Sequence, residues 1–247
     1  NKEIIYYILP QAWAWKKGRV KKLEAYCSKL CSIIPFESEI YNDKNKITYV
    51  GHPLLDEIKD FKQELVNTNK IAFMPGSRKT EITNLMPIFR ELIKKMPNKE
   101  YILIIPAKFD DDYIKKIYGD ISNFTISKNT HKTLQEAEYA FICSGTATLE
   151  AALIGTPFTL SYIAKKFDFF IGKLFVKLNY IGLANIFFEK MGKSALHSEF
   201  LQENVTVDNL LNDYNNLDKK SFFNNSKLLR DYLKNGSSQN VAKIIQN

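Results

Sequence analysis

Two short turns in the sequence carry the residue types that bind phosphate groups. The first is Gly76-Ser77-Arg78, which follows the apolar run 70–74 and precedes a helix-forming stretch with Glu81 in its first turn. A glycine lets the backbone approach a ligand closely, and a helix N-terminus presents unpaired N–H groups to an anion. Arginine adds two donors in fixed geometry. The alternative is an ordinary strand-to-helix turn with a surface arginine.

The second turn is Ser144-Gly145-Thr146, which follows the apolar run 139–143. Its hydroxyl groups suit phosphate oxygens, and Glu150 is placed to accept hydrogen bonds from ribose hydroxyls. The alternative is N-capping by Ser144 or Thr146, with Glu150 merely favourable to the helix dipole. Two such turns in one α/β unit favour a nucleotide site, because ligands bind at strand carboxyl ends near a switch in strand order.

Short apolar runs that alternate with helix-like stretches must position these turns. The alternation predicts an α/β fold, in which parallel sheets are covered by helices on both faces. Residues 206–247 predict several helices, with breaks at Asn224-Asn225 and at Gly236-Ser237-Ser238. The strands are predicted at 4–9, 31–35, 46–50, 70–74, 101–105, 139–143 and 157–163.

Composition narrows the class of protein and of partner. A hydrophobic content of 45% excludes a disordered chain, and a net charge of +8 favours an acidic partner: nucleic acid, an anionic membrane or a phosphorylated substrate. Three cysteines favour a reducing compartment, and Cys27 and Cys31, four residues apart on a predicted helix, are interpreted as core residues rather than metal ligands. The apolar runs are too short to span a membrane, so membrane contact would be peripheral.

Four further segments could carry chemistry, and each has an ordinary structural alternative. Asp110-Asp111-Asp112 resembles a cation-binding motif but also suits a helix start. His52 ends a predicted strand and could line a cleft between domains. Residues 162–180 combine lysines with aromatic residues, as a helix on anionic lipid would. Trp13 and Trp15 could wall a sugar or acyl pocket.

Taken together, these motifs resemble lipid-A-disaccharide synthase. The resemblance implies an inverting, metal-independent glycosyltransferase of the GT-B type, with two Rossmann-like halves, parallel sheets and an N-terminal half that is truncated here. The segments that match, in order, are Pro10-Gln11-Ala12-Trp13-Ala14-Trp15-Lys16, Pro35-Phe36-Glu37, Val50-Gly51-His52-Pro53-Leu54, Pro75-Gly76-Ser77-Arg78 with Glu81, Ser144-Gly145-Thr146-Ala147-Thr148-Leu149-Glu150, and Asn185.

The resemblance divides the chain into four parts. Residues 1–52 are expected to be the end of the N-terminal acceptor domain, 53–69 an interdomain connection, and 70–205 the UDP-sugar-binding domain. Residues 206–247 are expected to be helices that cross back to the N-terminal half. The acidic residue that deprotonates the acceptor is expected upstream of Asn1, so this chain alone should turn over little substrate.

The resemblance also assigns the site residues. Arg78 would stabilise the leaving UDP. The residues expected to bind the nucleotide or line the cleft are Gly76, Ser77, Arg78, Glu81, Ser144, Gly145, Thr146, Thr148, Glu150, Asn185, Glu199 and Gln202. The family's Pro-Glu-Leu-Leu-Gln segment stands here as Ser198-Glu199-Phe200-Leu201-Gln202, which keeps both polar residues in an altered setting.

The implied reaction transfers 2,3-diacylglucosamine from its UDP derivative to 2,3-diacylglucosamine 1-phosphate, giving a β-1,6 disaccharide and UDP. No cofactor or metal is expected, because the UDP-sugar is itself the donor substrate. The implied setting is the cytoplasmic face of the inner membrane, with peripheral attachment, no nucleic-acid partner and a possible homodimer. The alternatives are a UDP-sugar 2-epimerase of the same fold and a non-catalytic nucleotide- or lipid-binding fragment.

Overall fold

The computed structural model describes residues 2–14, 17–163 and 178–246. They form two compact units. The first holds 2–59, 178 and 230–246, and the second holds 60–163 and 179–229. Each unit is built on a parallel sheet, as the alternation of strands and helices predicts.

The first unit contains a three-stranded sheet of order β1-β2-β3. Its elements are β1 (Ile5–Tyr7), α1 (Arg19–Tyr26), β2 (Lys29–Ser32), a 3₁₀ turn (Glu37–Ile40), β3 (Ile47–Tyr49), α2 (Pro53–Glu57) and the last helix, α10 (Ser237–Gln246). Val241 of α10 packs against Cys31 of β2. The Asp56 carboxylate accepts hydrogen bonds from the N–H groups of Gly236 and Ser238. This carboxylate therefore caps the start of α10.

The second unit contains a six-stranded parallel sheet of order β6-β5-β4-β7-β8-β9. Its strands are β4 (Lys70–Met74), β5 (Glu100–Ile104), β6 (Thr125–Ser127), β7 (Tyr139–Cys143), β8 (Phe158–Tyr162) and β9 (Glu199–Leu201). Its helices are α3 (Lys79–Lys94), α4 (Asp111–Tyr118), α5 (Thr130–Glu136), α6 (Thr146–Ile154), α7 (Leu183–Lys190), α8 (Val207–Asn216) and most of α9 (Lys219–Leu233), and a 3₁₀ turn spans Gln202–Asn204. Residues 230–233 of α9 belong to the first unit.

The strand order of this sheet places the two candidate turns side by side. Strand β4 pairs with β5 on one side and with β7 on the other, and Met74 stands opposite Ile142 at the carboxyl ends. Strands β5 and β6 extend the sheet on one side of β4, and the later strands β7, β8 and β9 extend it on the other. The turns after β4 and β7 therefore flank the topological switch point, where open α/β sheets bind their ligands.

Aromatic packing fixes these two central strands against helix α3. The ring of Phe73 stacks on that of Phe141 with 5.4 Å between the centroids, and it packs edge-on against Phe89 of α3 at 5.1 Å. Both distances are typical of aromatic pairs. All three side chains are fully buried. Burying each one contributes about 2–3 kcal/mol, so the strand ends that carry the turns are held by a well-packed core.

The structure confirms the predicted α/β class and corrects several local predictions. The strands at 70–74 and 139–143 are confirmed. Strands β6 and β9 were not predicted, because each is a three-residue edge strand without a buried apolar run. The predicted break at Asn224-Asn225 is wrong: α9 runs through it, since Phe222 and Leu229 bury one helical face.

The prediction that Cys27 and Cys31 share a helix is also wrong. Cys27 lies just after the end of α1, whereas Cys31 lies in β2. Both thiols are free and buried, which confirms their interpretation as core residues. Burial also raises the pKa of the Cys31 thiol, as expected for a cysteine in apolar surroundings.

Candidate functional site

The turn between β4 and α3 is held in shape by the carboxylate of Glu81. Its Oε2 accepts hydrogen bonds from the N–H groups of Ser77 and Arg78, both at 3.1 Å, and its Oε1 accepts one from Arg78 Nη1 at 2.8 Å. Gly76 has φ of +99°, and a Cβ atom there would lie 2.4 Å from Glu81 Oε2. Only glycine fits this position without rearrangement.

The buried side chain of Thr148 stabilises the turn between β7 and α6. Its hydroxyl donates to the Gly145 carbonyl at 2.7 Å, and its side chain is fully buried. Thr148 therefore stabilises the conformation of the turn through this hydrogen bond. Gly145 is the N-cap residue of α6 and has no side chain to cap it. An anion bound here would complete the hydrogen bonds of the first helical turn.

One cavity of about 500 Å³ lies between the two turns. Arg78 and Glu150 both face it, as a site shared by the two turns requires. Of the twelve residues predicted for the site, eight line this cavity: Gly76, Ser77, Arg78, Glu81, Ser144, Gly145, Thr146 and Glu150. The remaining lining residues are Met74, Ile104, Pro106, Thr130, Cys143 and Ala147.

Two polar contacts between side chains lie at the cavity. Arg78 pairs with Glu81 on the first turn. Glu150 Oε2 lies 3.6 Å from Nε2 of His131, at the start of α5. Burial and the nearby Glu81 raise the pKa of the Cys143 thiol to about 12. This thiol is therefore neutral and contributes to the cavity wall rather than to nucleophilic chemistry.

Comparison with known proteins identifies the family. Residues 1–245 match the family described as lipid-A-disaccharide synthetase. The chain belongs to this family. The lipid-A-disaccharide synthases of Campylobacter jejuni and Helicobacter acinonychis are 55% and 48% identical to it, over 98% and 99% of this chain and 67% and 71% of their own lengths. The chain thus spans about two thirds of these relatives.

A solved structure supports the fold assignment. The glycotransferase of kitacinnamycin superposes with a TM-score of 0.58 over 98% of this chain and 68% of that chain, at 14% sequence identity. The GT-B class implied by the family resemblance is confirmed. Membership of the lipid-A-disaccharide synthetase family also confirms a glycosyltransferase of lipid A biosynthesis and favours it over the epimerase alternative.

In this member of the lipid-A-disaccharide synthetase family, Asn185 and Glu199 form a second polar cluster. Asn185 is fully buried; its Nδ2 donates to the His197 carbonyl at 2.9 Å and to Glu199 Oε1 at 2.8 Å. Glu199 also accepts from the N–H groups of Ile181 and Gly182, at the start of α7. Burial raises the pKa of Glu199, and these hydrogen bonds oppose the shift.

This cluster borders a separate cavity of about 520 Å³ in the same unit, lined by residues 179–180, 195–201 and 217. Gln202 follows β9 with φ of +54° in the 3₁₀ turn. Asn185, Glu199 and Gln202 are absent from the lining of the cavity at the two turns, as far as the described residues show. Their assignment to the substrate cleft of the family stays a prediction.

Two residues near the cavity at the two turns were not predicted from the sequence. Thr130 lines the cavity and His131 pairs with Glu150. Both follow β6, a strand too short to be recognised, so nothing in the sequence placed them at the carboxyl edge of the sheet. His197 has a different place: it is buried, its ring lies 4.3 Å from that of Phe158, and burial lowers its pKa to about 4.

The other candidate segments have structural roles or lie outside the described residues. Asp110 caps α4 by accepting from Tyr113 N–H at 2.8 Å. His52 is buried and caps α2 through Nδ1, and burial lowers its pKa to about 4. Trp13 packs edge-on against Phe36, whereas Trp15 and most of 162–180 lie outside the described residues. The described helices include none with the length and apolar character needed to cross a bilayer.

Proposed function

We propose that the chain binds UDP-2,3-diacylglucosamine and serves its transfer to 2,3-diacylglucosamine 1-phosphate, with inversion, to give the β-1,6 disaccharide and UDP. One observation carries the proposal: the two turns beside the switch point share a single cavity, with Arg78 on one side and Glu150 on the other. A nucleoside diphosphate needs this combination of phosphate and ribose ligands.

The diphosphate would lie between the two helix N-termini. The N–H groups at the start of α6 and the backbone of Gly76 and Ser77 would bind its oxygens. Arg78 would offset the charge that accumulates on UDP as the glycosidic bond breaks. Its side chain is 79% exposed at the cavity rim and is tethered by Glu81, so it is placed to meet a ligand. This source of positive charge is why we propose transfer without a metal ion.

Glu150 would bind the ribose. Its side chain is 18% exposed and lines the cavity, so a ligand in the cavity can reach the carboxylate. Both proposed substrates carry acyl chains and phosphate, and the lysine-rich segment 162–180 supplies matching charge and apolar groups. We therefore propose peripheral attachment to an anionic membrane surface on the cytoplasmic side.

A chimaera tests the reaction. The upstream segment of the Campylobacter jejuni relative is fused to this chain and incubated with radiolabelled UDP-2,3-diacylglucosamine and the acceptor. We expect labelled disaccharide and UDP, and a loss of about 100-fold or more with Arg78→Ala, the range for removal of a transition-state donor. Release of an epimerised UDP-sugar instead of disaccharide would contradict the proposal.

The 247-residue chain alone is the matched control. We expect it to bind UDP but to form little disaccharide. Substantial disaccharide synthesis by the chain alone would refute the expectation that its acceptor-activating base lies upstream, while leaving the donor site intact.

A further inference from the structure

His131 is a candidate for a further role at the nucleotide cavity. It occupies the first turn of α5, next to Thr130, which lines the cavity. Its Nε2 lies 3.6 Å from Oε2 of Glu150, and its side chain is 37% exposed. The imidazole is therefore open to solvent and stands beside the carboxylate that is proposed to bind the ribose.

We propose that His131 is a positioning residue, which orients Glu150 for the ribose and, when protonated, offsets its negative charge against the incoming diphosphate. This inference rests on the proposed function. Its physical basis is the charge of the cavity, where Glu81 and Glu150 place two carboxylates near a dianionic ligand. Arg78 pairs with Glu81. His131 Nε2 lies 3.6 Å from Glu150 Oε2.

Other charged groups on the elements around His131 are directed elsewhere. On its own helix, Lys132 lies 3.9 Å from Glu136, and Glu136 also pairs with Lys70 of β4 at the far end of the helix. Lys128 donates to the Phe109 carbonyl. Strand β5 contributes Glu100, which starts the strand at the opposite edge of the sheet from the turns. Helix α6 contributes Glu150 itself.

The proposal predicts pH-dependent nucleotide binding with a defined sign. Imidazole titrates between pH 5 and 8, so protonation adds positive charge at lower pH. Wild-type affinity should therefore be about two- to fivefold higher at pH 6 than at pH 8, the range for a partly exposed ion pair. The affinity of His131→Gln should be nearly equal at the two pH values, because glutamine keeps a hydrogen-bond donor but has no ionisable group.

UDP-N-acetylglucosamine is the suitable probe, because its diphosphate is a diester and keeps a constant charge over this range. Dissociation constants are measured by NMR titration of the 247-residue chain at pH 6 and pH 8, for the wild type and His131→Gln. Glu37 and Lys62, whose pKa values are about 7, are present in both proteins, so their contributions cancel in the comparison.

The imidazole signals provide a second readout. The sequence has three histidines, and burial lowers the pKa values of His52 and His197 to about 4. The signal that is absent from the spectrum of His131→Gln is that of His131. It should shift in Glu150→Gln, which removes the carboxylate beside the ring, and again when the UDP-sugar binds.

The outcomes separate this inference from the proposed function. Equal pH dependence of binding in the wild type and His131→Gln, or a His131 signal unaffected by Glu150→Gln, would overturn the role of His131 alone. Failure of the wild-type chain to bind the UDP-sugar at either pH would overturn the proposed donor site, and this inference with it.

Discussion

Glu37 gives a quantitative prediction about the first unit: Glu37→Gln should stabilise this unit above pH 7. Glu37 is fully buried, and its Oε2 lies 2.5 Å from Ser32 Oγ. The same hydroxyl lies 2.9 Å from the Ile34 carbonyl and accepts from Ile34 N–H. The Ser32 hydroxyl has a single proton and contacts two oxygen atoms, the Ile34 carbonyl and Glu37 Oε2. Both contacts are hydrogen bonds only if Glu37 carries a proton of its own. The contacts therefore fit the neutral acid.

The magnitude follows from the pKa. Burial raises the pKa of Glu37 from 4.5 to about 7, although the hydrogen bond with Ser32 opposes the shift. A pKa difference of about 2.5 corresponds to about 3 kcal/mol of unfolding free energy. The folded-state pKa lies above the unfolded value, so this contribution is full below pH 4.5 and is lost as the pH rises through 7. Glutamine removes that loss, because its amide cannot ionise.

The assay is tryptophan fluorescence during urea denaturation. The sequence has two tryptophans, Trp13 and Trp15, and Trp13 packs against Phe36 in the first unit. Between pH 5 and pH 8, the wild type should lose about 2–3 kcal/mol of stability relative to Glu37→Gln. Glu24→Gln is the control: hydrogen bonds from Asp43 and Asn42 lower the pKa of Glu24, so its contribution is lost only as the pH falls below the ordinary value, and Glu24→Gln should keep the wild-type pH profile between pH 5 and pH 8. Parallel pH profiles for the wild type and Glu37→Gln would refute the reasoning.

Three further predictions concern the second unit. Gly76→Ala should weaken UDP binding about tenfold or more in calorimetry, because the new Cβ lies 2.4 Å from a carboxylate oxygen at φ +99°; Gly192→Ala, with a positive φ but open space, should bind UDP normally. Thr148→Val should weaken UDP binding only about two- to fivefold, because its buried hydroxyl bonds the Gly145 carbonyl; a far larger loss would indicate direct ligand contact. Asn185→Ala should lower the free energy of urea unfolding by about 3 kcal/mol, because four hydrogen bonds are lost; unchanged stability would contradict its role as a structural bridge.

Local sequence features predicted the two turns because each follows a long, buried apolar run. Strands β4 and β7 are buried almost throughout, and glycine and hydroxyl residues between a strand and a helix are typical of phosphate-binding turns. That these strands are neighbours could not be read from the sequence, because adjacency depends on sheet pairing between segments some 65 residues apart.

The remaining contacts depend on tertiary packing. Glu81 was expected near the diphosphate, and the structure shows that it also holds the Ser77 and Arg78 backbone. Thr148 was expected in the same cradle but is buried beneath the turn. His131 had no recognisable spacing, because its partner Glu150 lies on another helix. Such partnerships arise only when the elements pack together.

The most direct test of the central claim is isothermal titration of UDP into the wild type, Arg78→Ala and Glu150→Ala. If the two turns form one UDP site, the wild type binds one UDP per chain, and each substitution weakens binding by about 1–3 kcal/mol. Wild-type affinity in either variant would contradict the claim, because it would show that one of the two turns takes no part in binding.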